Sequence, residues 1–284
     1  MKRRLATATG LAIALLVGAA STAQALTPPS GFSGIGTKSG TSFVTAKWSG
    51  NVGGAKTYMM WIDTSATSAL FVPGYQEPKG LPHPTNGATP KADLPNLVAT
   101  FNGAFVLGDA MGGAYYAGKS SGTLTNGRAA AVVYKDGSIK IGKWGSDVRM
   151  SSNVQAVRQN LNLIVEGGRN KAANAAGDTS VWGPVTKGQS SRQWRSGVGQ
   201  RSDGSIVYVI GSNMNAKELG DAFVKAGAQR AMVLDMNNLW PSGAIFTAKG
   251  KGTPKCSKLD PYDANSCDQY THSSKRDSFQ FVLG

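Results

Sequence analysis

The sequence predicts an α+β fold, a mixed β-sheet with packed helices, on three observations. Short apolar runs of strand length recur from residue 43 to residue 234. Two of the turns between them are Asp-Gly, at Asp136-Gly137 and Asp203-Gly204, the pair favoured where a tight hairpin needs positive φ. Two stretches have helical apolar spacing, and each leads directly into another apolar run.

In chain order, residues 43–48, 58–63, 70–72 and 97–101 read as strands. Residues 73–95, rich in Pro, Gly and Asn, read as a long surface loop of the kind that often borders a site. Residues 129–134 and 139–143 flank the first Asp-Gly turn, and residues 197–200 and 206–210 flank the second. Residues 153–161 place Val154, Val157 and Leu161 on one helical face and lead into a strand at 161–165. Residues 215–226 open with Asn215, carry Glu218 three positions later and stop at Gly227, the pattern of a capped helix. Lying between 206–210 and a strand at 231–234, that helix can serve as a right-handed crossover between parallel neighbours. Asp235 then falls at the carboxyl end of a parallel strand, where open sheets commonly bind ligands.

The chain begins with Lys2, Arg3 and Arg4, an apolar stretch over 11–20 and then Ala23-Gln24-Ala25. That is the makeup of an export signal ending in a small-x-small cleavage site. The expected organisation is a signal peptide at 1–25, a flexible segment at 26–42 rich in Thr, Pro, Ser and Gly, and a folded domain at 43–284. Nothing after the signal approaches the ~20 apolar residues of a transmembrane helix, so a secreted protein is expected. Residues Leu5-Ala6-Thr7 after Arg3-Arg4 favour the general secretion route over the twin-arginine one.

The formal net charge of +14 creates a field that attracts polyanions. Zinc-finger spacing, RNP-type aromatics and a basic recognition helix are all missing from the sequence, so no specific nucleic acid is implied. The two cysteines, Cys256 and Cys267, are expected to form one disulfide. His83 and His272 lack ligand spacing to them, so neither a metal nor a cofactor is called for. Asp260, Asp263, Asn265 and Asp268 depart from the EF-hand spacing and read as a solvated acidic loop. Gly118-Lys119-Ser120-Ser121-Gly122 fits Gly-x-Ser-x-Gly, with Asp235 and His272 downstream, but lacks the strand-turn-helix setting of a nucleophile elbow.

Three segments place polar groups at strand ends: Asn102-Gly103-Ala104-Phe105, Arg195-Ser196-Gly197-Val198-Gly199 and Val233-Leu234-Asp235. Taken alone, Arg195 and Asp235 read equally well as an ion pair satisfying strand ends, Asn102 as a turn cap, and Glu166, before Gly167-Gly168, as a solvated acid. In order and sequence, however, the region from Leu97 onward resembles the phosphodiester glycosidase family. The family's Asn-Gly-Gly-Phe-Phe run is matched at 102–105 with Ala104 for one Gly. Its Arg-Thr/Ser-Ala-Ile/Val-Gly hairpin is matched at 195–199 with Asp203-Gly204 at the turn. Its Asp-Gly-Gly-Gly-Ser becomes Asp235-Met236-Asn237-Asn238-Leu239-Trp240.

The resemblance implies a phosphodiester glycosidase-like domain, a secreted hydrolase that cleaves a sugar from a glycan or cell-envelope phosphodiester. Asp235 would be nucleophile or base, Arg195 the phosphate partner, Glu166 a second carboxylate, and Asn102 an orienting group. Ser196, Gly103, Asn237 and Asn238 would line the substrate. Because the glycines after Asp235 are replaced, the alternative is a catalytically silent carbohydrate- or polyanion-binding module on the same fold.

Overall fold

The computed structural model describes residues 24–173, 182–183, 191–248, 251–252 and 254–284. Of the signal peptide expected at 1–25, residues 1–23 lie outside the described residues. The strands are, in order, β1 (Ser33–Ser39), β2 (Ser42–Val52), β3 (Ala55–Ile62), β4 (Thr67–Val72), β5 (Leu97–Asn102), β6 (Ala114–Tyr116), β7 (Lys119–Ser121), β8 (Ala129–Tyr134) and β9 (Ile139–Lys143). They continue with β10 (Val154–Gln159), β11 (Leu163–Glu166), β12 (Arg169–Asn170), β13 (Gln193–Arg201), β14 (Ile206–Met214), β15 (Ala228–Val233), β16 (Gly243–Thr247), β17 (Lys255–Lys258) and β18 (Ser278–Leu283). Two α-helices stand among the described residues, the single turn α1 (Leu107–Ala110) and α2 (Ala216–Lys225). Strand β1 lies within the 26–42 stretch that composition assigns to a flexible segment.

Three sheets result. The largest has the order β1-β2-β3-β14-β13-β15-β11-β12, and two five-stranded sheets run β7-β6-β10-β8-β9 and β17-β16-β5-β18-β4. The expectation of an α+β fold with a mixed sheet is thereby corrected. The protein is mostly β, and its strand pairings are antiparallel.

Two misreadings account for the difference. Residues 153–161 are not a helix: Val154–Gln159 form β10, hydrogen-bonded to β6 on one side and β8 on the other. Pairing on both edges, together with β-branched Val154 and Val157, overrides the 3.6-residue spacing. The crossover helix is real, but β14 and β15 are not neighbours. Strand β13 lies between them, antiparallel to both. The strands on either side of it therefore share a direction without sharing hydrogen bonds.

Other elements follow the sequence closely. Both Asp-Gly turns close hairpins, with φ of +80° at Gly137 and +89° at Gly204. Helix α2 has a complete capping box: Asn215 accepts from the Glu218 amide at 2.9 Å, and Glu218 accepts from the Asn215 amide at 3.0 Å. Its Leu219, Ala222 and Phe223 pack on the large sheet beside Val207, Val209 and Val233. The opposite face of that sheet meets the other two sheets through Val198, Tyr208, Met232 and Leu234, against Phe101, Phe279, Phe281, Ala131 and Ala156. Cys256 and Cys267 are bonded, and among the described residues no helix is long and apolar enough to cross a membrane.

Candidate active site

Where the three sheets converge, buried polar side chains replace apolar packing. Arg158 of β10 donates through Nε to Asp277 Oδ2 at 2.8 Å, both side chains fully buried. It also donates to the carbonyls of Gln159 and Phe105. Asn160 donates to the carbonyls of Val233 and Leu234 at 2.9 and 3.0 Å, tying the β10 sheet to the large one. Tyr208 of β14 donates its hydroxyl to Asn102 Oδ1 at 2.8 Å, joining the large sheet to β5. Asn102 Oδ1 accepts from the Ser242 amide as well, and its Nδ2 donates to the Gly103 carbonyl.

Asp235 follows β15 at this junction and is 3 % exposed. Its Oδ1 accepts from the Met236 amide and from Asn237 Nδ2, both at 2.7 Å, and its Oδ2 accepts from Arg276 at 3.1 Å. Burial pushes the carboxyl up to about 6, against the opposing pull of the Arg276 guanidinium. It is thus mostly ionised at neutral pH and titrates within reach of it. Arg276 also donates to the Ala104 carbonyl at 2.7 Å and lies over the Trp240 ring, 4.7 Å from its centroid. Its Nε, with Asp277 Oδ1 and Asn160 Oδ1, is buried with no hydrogen-bond partner among the described residues.

Arg195 is placed differently. It is fully buried, and burial lowers its guanidinium to about 10. Its side chain donates to the carbonyls of Met214, Trp182 and Ser191 and contacts Met236 Sδ at 3.4 Å. Strand alternation puts it on the α2 face with Gly197 and Gly199, whereas the Asp235 carboxylate pairs with Arg276. The two glycines serve packing. A Cβ at Gly197 would stand 2.6 Å from the Met232 carbonyl, and one at Gly199 would stand 2.9 Å from the Phe223 ring.

Among the other sequence candidates, Ser196 is buried in the β13–β15 seam, where its hydroxyl accepts from the Asp235 amide at 3.2 Å. Gly103 permits the close approach of Asp277, whose carboxylate would lie 2.2 Å from a Cβ there. Asn237 holds Asp235 and accepts from the amides of Leu239 and Trp240 at 2.8 Å, so it organises the segment where the family has glycines. Asn238 is exposed beside it. Glu166 is not brought to Asp235. It sits opposite Arg230 at the far end of β15 and pairs with Lys143 at 2.5 Å.

Two loops flank the site. The 73–95 loop docks on the segment before β18, with Tyr75, Gln76 and Glu77 amides donating to the carbonyls of Ser274 and Lys275. The disulfide loop reaches the Asp235 segment through Asn265, which donates to the Leu239 carbonyl at 2.9 Å. Contrary to a solvated loop, Asp260 and Asp263 are buried, their Oδ1 atoms accepting from the amides of Tyr262 and Asn265. In the Gly-x-Ser-x-Gly stretch, Ser120 lies in the middle of the short strand β7 rather than at a strand-to-helix turn, so no elbow is formed.

Sequence reasoning missed Arg276, Asp277, Arg158 and Trp240. A signal existed for the first pair: two adjacent charges lead straight into the alternation Phe279-Gln280-Phe281. Arg158 was passed over in the helical reading of 153–161, whose inward face was defined by Val154, Val157 and Leu161 alone.

Residues 95–235 match the family model described as phosphodiester glycosidase. Among solved structures, the catalytic domain of zebrafish N-acetylglucosamine-1-phosphodiester alpha-N-acetylglucosaminidase, auto-inhibited by its pro-peptide, aligns with a TM-score of 0.53 at 15 % identity, covering 88 % of this chain and 86 % of that one. A hypothetical protein from Synechocystis aligns at 0.44 and 10 % identity, covering 84 % and 62 %. A putative exported protein from Burkholderia pseudomallei aligns at 0.34 and 12 %, covering 80 % and 74 %. Only the first likeness bears on the fold. A comparison with curated proteins gives no match.

Proposed function

Because the chain belongs to the phosphodiester glycosidase family over residues 95–235, we propose that it is an exported hydrolase releasing a sugar from a sugar-1-phosphodiester, with Asp235 and Arg276 as the reacting pair. The observation that carries the proposal is the state of Arg276. Its guanidinium is bound to Asp235 and the Ala104 carbonyl and backed by Trp240, yet Nε keeps a proton with no acceptor among the described residues. An unsatisfied buried donor costs about 1–3 kcal/mol, and such groups concentrate where a ligand supplies the missing partner. A phosphate oxygen suits a guanidinium fork.

The chemistry needs few groups. The bond between the sugar's anomeric carbon and the bridging oxygen breaks, and that oxygen leaves with the electron pair as part of a phosphomonoester. Little leaving-group protonation is required, so Glu166 need not be near. Asp235, ionised, attacks the anomeric carbon or takes a proton from the water that does. Asn102, fixed by Tyr208 and the Ser242 amide, and Asn237 with Asn238 supply amides for sugar hydroxyls. Arg195 braces the Asp235–Met236 segment from behind rather than meeting phosphate.

Two expected results follow. Since Asp235 must be ionised, turnover at saturating substrate rises with pH through about 6; a rate flat from pH 4.5 to 7.5 excludes this carboxyl as the base. Arg276→Ala removes an ionic hydrogen bond worth about 1.5–3 kcal/mol and raises KM roughly ten- to 150-fold, read from steady-state kinetics. Calorimetry beside product analysis tests the alternative, the silent carbohydrate- or polyanion-binding module. Tight binding by the wild type without sugar release across a panel of sugar phosphodiesters would establish it.

A further inference from the structure

A buried acid far from the candidate site faces the start of the folded chain. Asp63 directly follows β3, is 1 % exposed, and accepts through Oδ1 from the Ser65 amide and hydroxyl at 2.8 and 2.6 Å. Its Oδ2 accepts from the Leu26 amide nitrogen at 3.1 Å. Among the described residues no lysine, arginine or histidine forms an ion pair with it, although the chain carries 30 basic residues against 16 acidic ones. A buried carboxylate supported by neutral donors alone is costly. Leu26 is the residue that follows the small-x-small stretch Ala23-Gln24-Ala25.

We infer that Asp63 is the receptor site for the α-ammonium group created when the chain is cut between Ala25 and Leu26. In that step a peptidase of the export apparatus adds water across the amide. The Ala25 carbonyl–Leu26 nitrogen bond breaks, the acyl part leaves as the Ala25 carboxylate, and the nitrogen, protonated, becomes an ammonium where an amide stood. One N–H donor is thereby replaced by a cation with three. The surroundings hold the new terminus in place: the Leu26 side chain packs on the core beneath α2, and the Thr27 carbonyl accepts from Arg201 at 3.1 Å. The Asp63 amide donates to the Val44 carbonyl, and the Asp63 carbonyl accepts from Thr67. The processed end is thus locked to the turn joining β3 to β4. Processing and stability are coupled, independently of any reaction at Asp235.

The test compares secreted protein, whose first residue is checked by N-terminal sequencing, with protein prepared to begin one residue earlier at Ala25. The chain starting at Leu26 should melt about 5 °C or more above the longer one, a few degrees being the usual response to one kcal/mol in a domain of this size. Asp63→Asn should erase the difference. An ion pair raises the amine's titration above the ordinary ~8, so the advantage is full below that value and disappears as pH rises through the raised one. In the wild type the Leu26 amine should also react more slowly with an amine-directed reagent when folded than when denatured, a readout that does not need the variant to fold. Secretion with a different first residue, equal melting of the two forms, a difference that survives Asp63→Asn, or an unprotected Leu26 amine would each overturn the inference.

Discussion

Arg158→Ala should lower the stability of the protein by about 3–5 kcal/mol, the usual cost of removing one partner from a buried ion pair. Arg158 and Asp277 are fully buried, so the variant leaves an uncompensated carboxylate between three sheets and deprives the Gln159 and Phe105 carbonyls of a donor. In thermal unfolding the effect corresponds to roughly 2–4 °C per kcal/mol at this size, a drop of about 6–20 °C. Changing Asp277 to Asn in the same molecule should recover part of the loss, because the stranded charge disappears. A loss below 1 kcal/mol, or strict additivity of the two changes, contradicts the placement of this pair as the bolt between the β10 and β18 sheets.

The same pair shows where the sequence was readable and where it was not. Local signals proved accurate when their cause is local. Asp136-Gly137 and Asp203-Gly204 turn because glycine takes positive φ there, and Asn215 and Glu218 cap α2 through bonds spanning three residues. The reading of 153–161 failed because the deciding partners, β6 and β8, lie elsewhere in the chain. The parallel sheet failed for a related reason: nothing near α2 reveals that β13 inserts between β14 and β15.

For the site, the strand-end positions of Asn102 and Asp235 were legible in the sequence, while their proposed roles came from the family resemblance. Their partners come from far away. Arg276 and Tyr208 are polar groups in segments whose pattern reads simply as strand or loop, and only the meeting of sheets gives them a role. Arg195 illustrates the reverse case. A motif marked it, but alternation on β13 turns it to the α2 face, where backbone carbonyls and Met236 engage it.

The reaction itself is tested most directly by replacing the carboxylate. Asp235→Asn keeps the shape of the side chain and a carbonyl oxygen to accept from the Met236 amide, but removes the charge to which the proposed reaction assigns the attack or the activation of water. Purified wild-type protein, given a sugar-1-phosphodiester at neutral pH, should release free sugar and phosphomonoester in equal amounts. In Asp235→Asn that release should fall by about 10³-fold or more, equivalent to at least ~4 kcal/mol of transition-state stabilisation, while calorimetric affinity for the same substrate changes by less than about tenfold. Release by the variant at the wild-type rate would contradict the assignment of Asp235 as the reacting carboxylate.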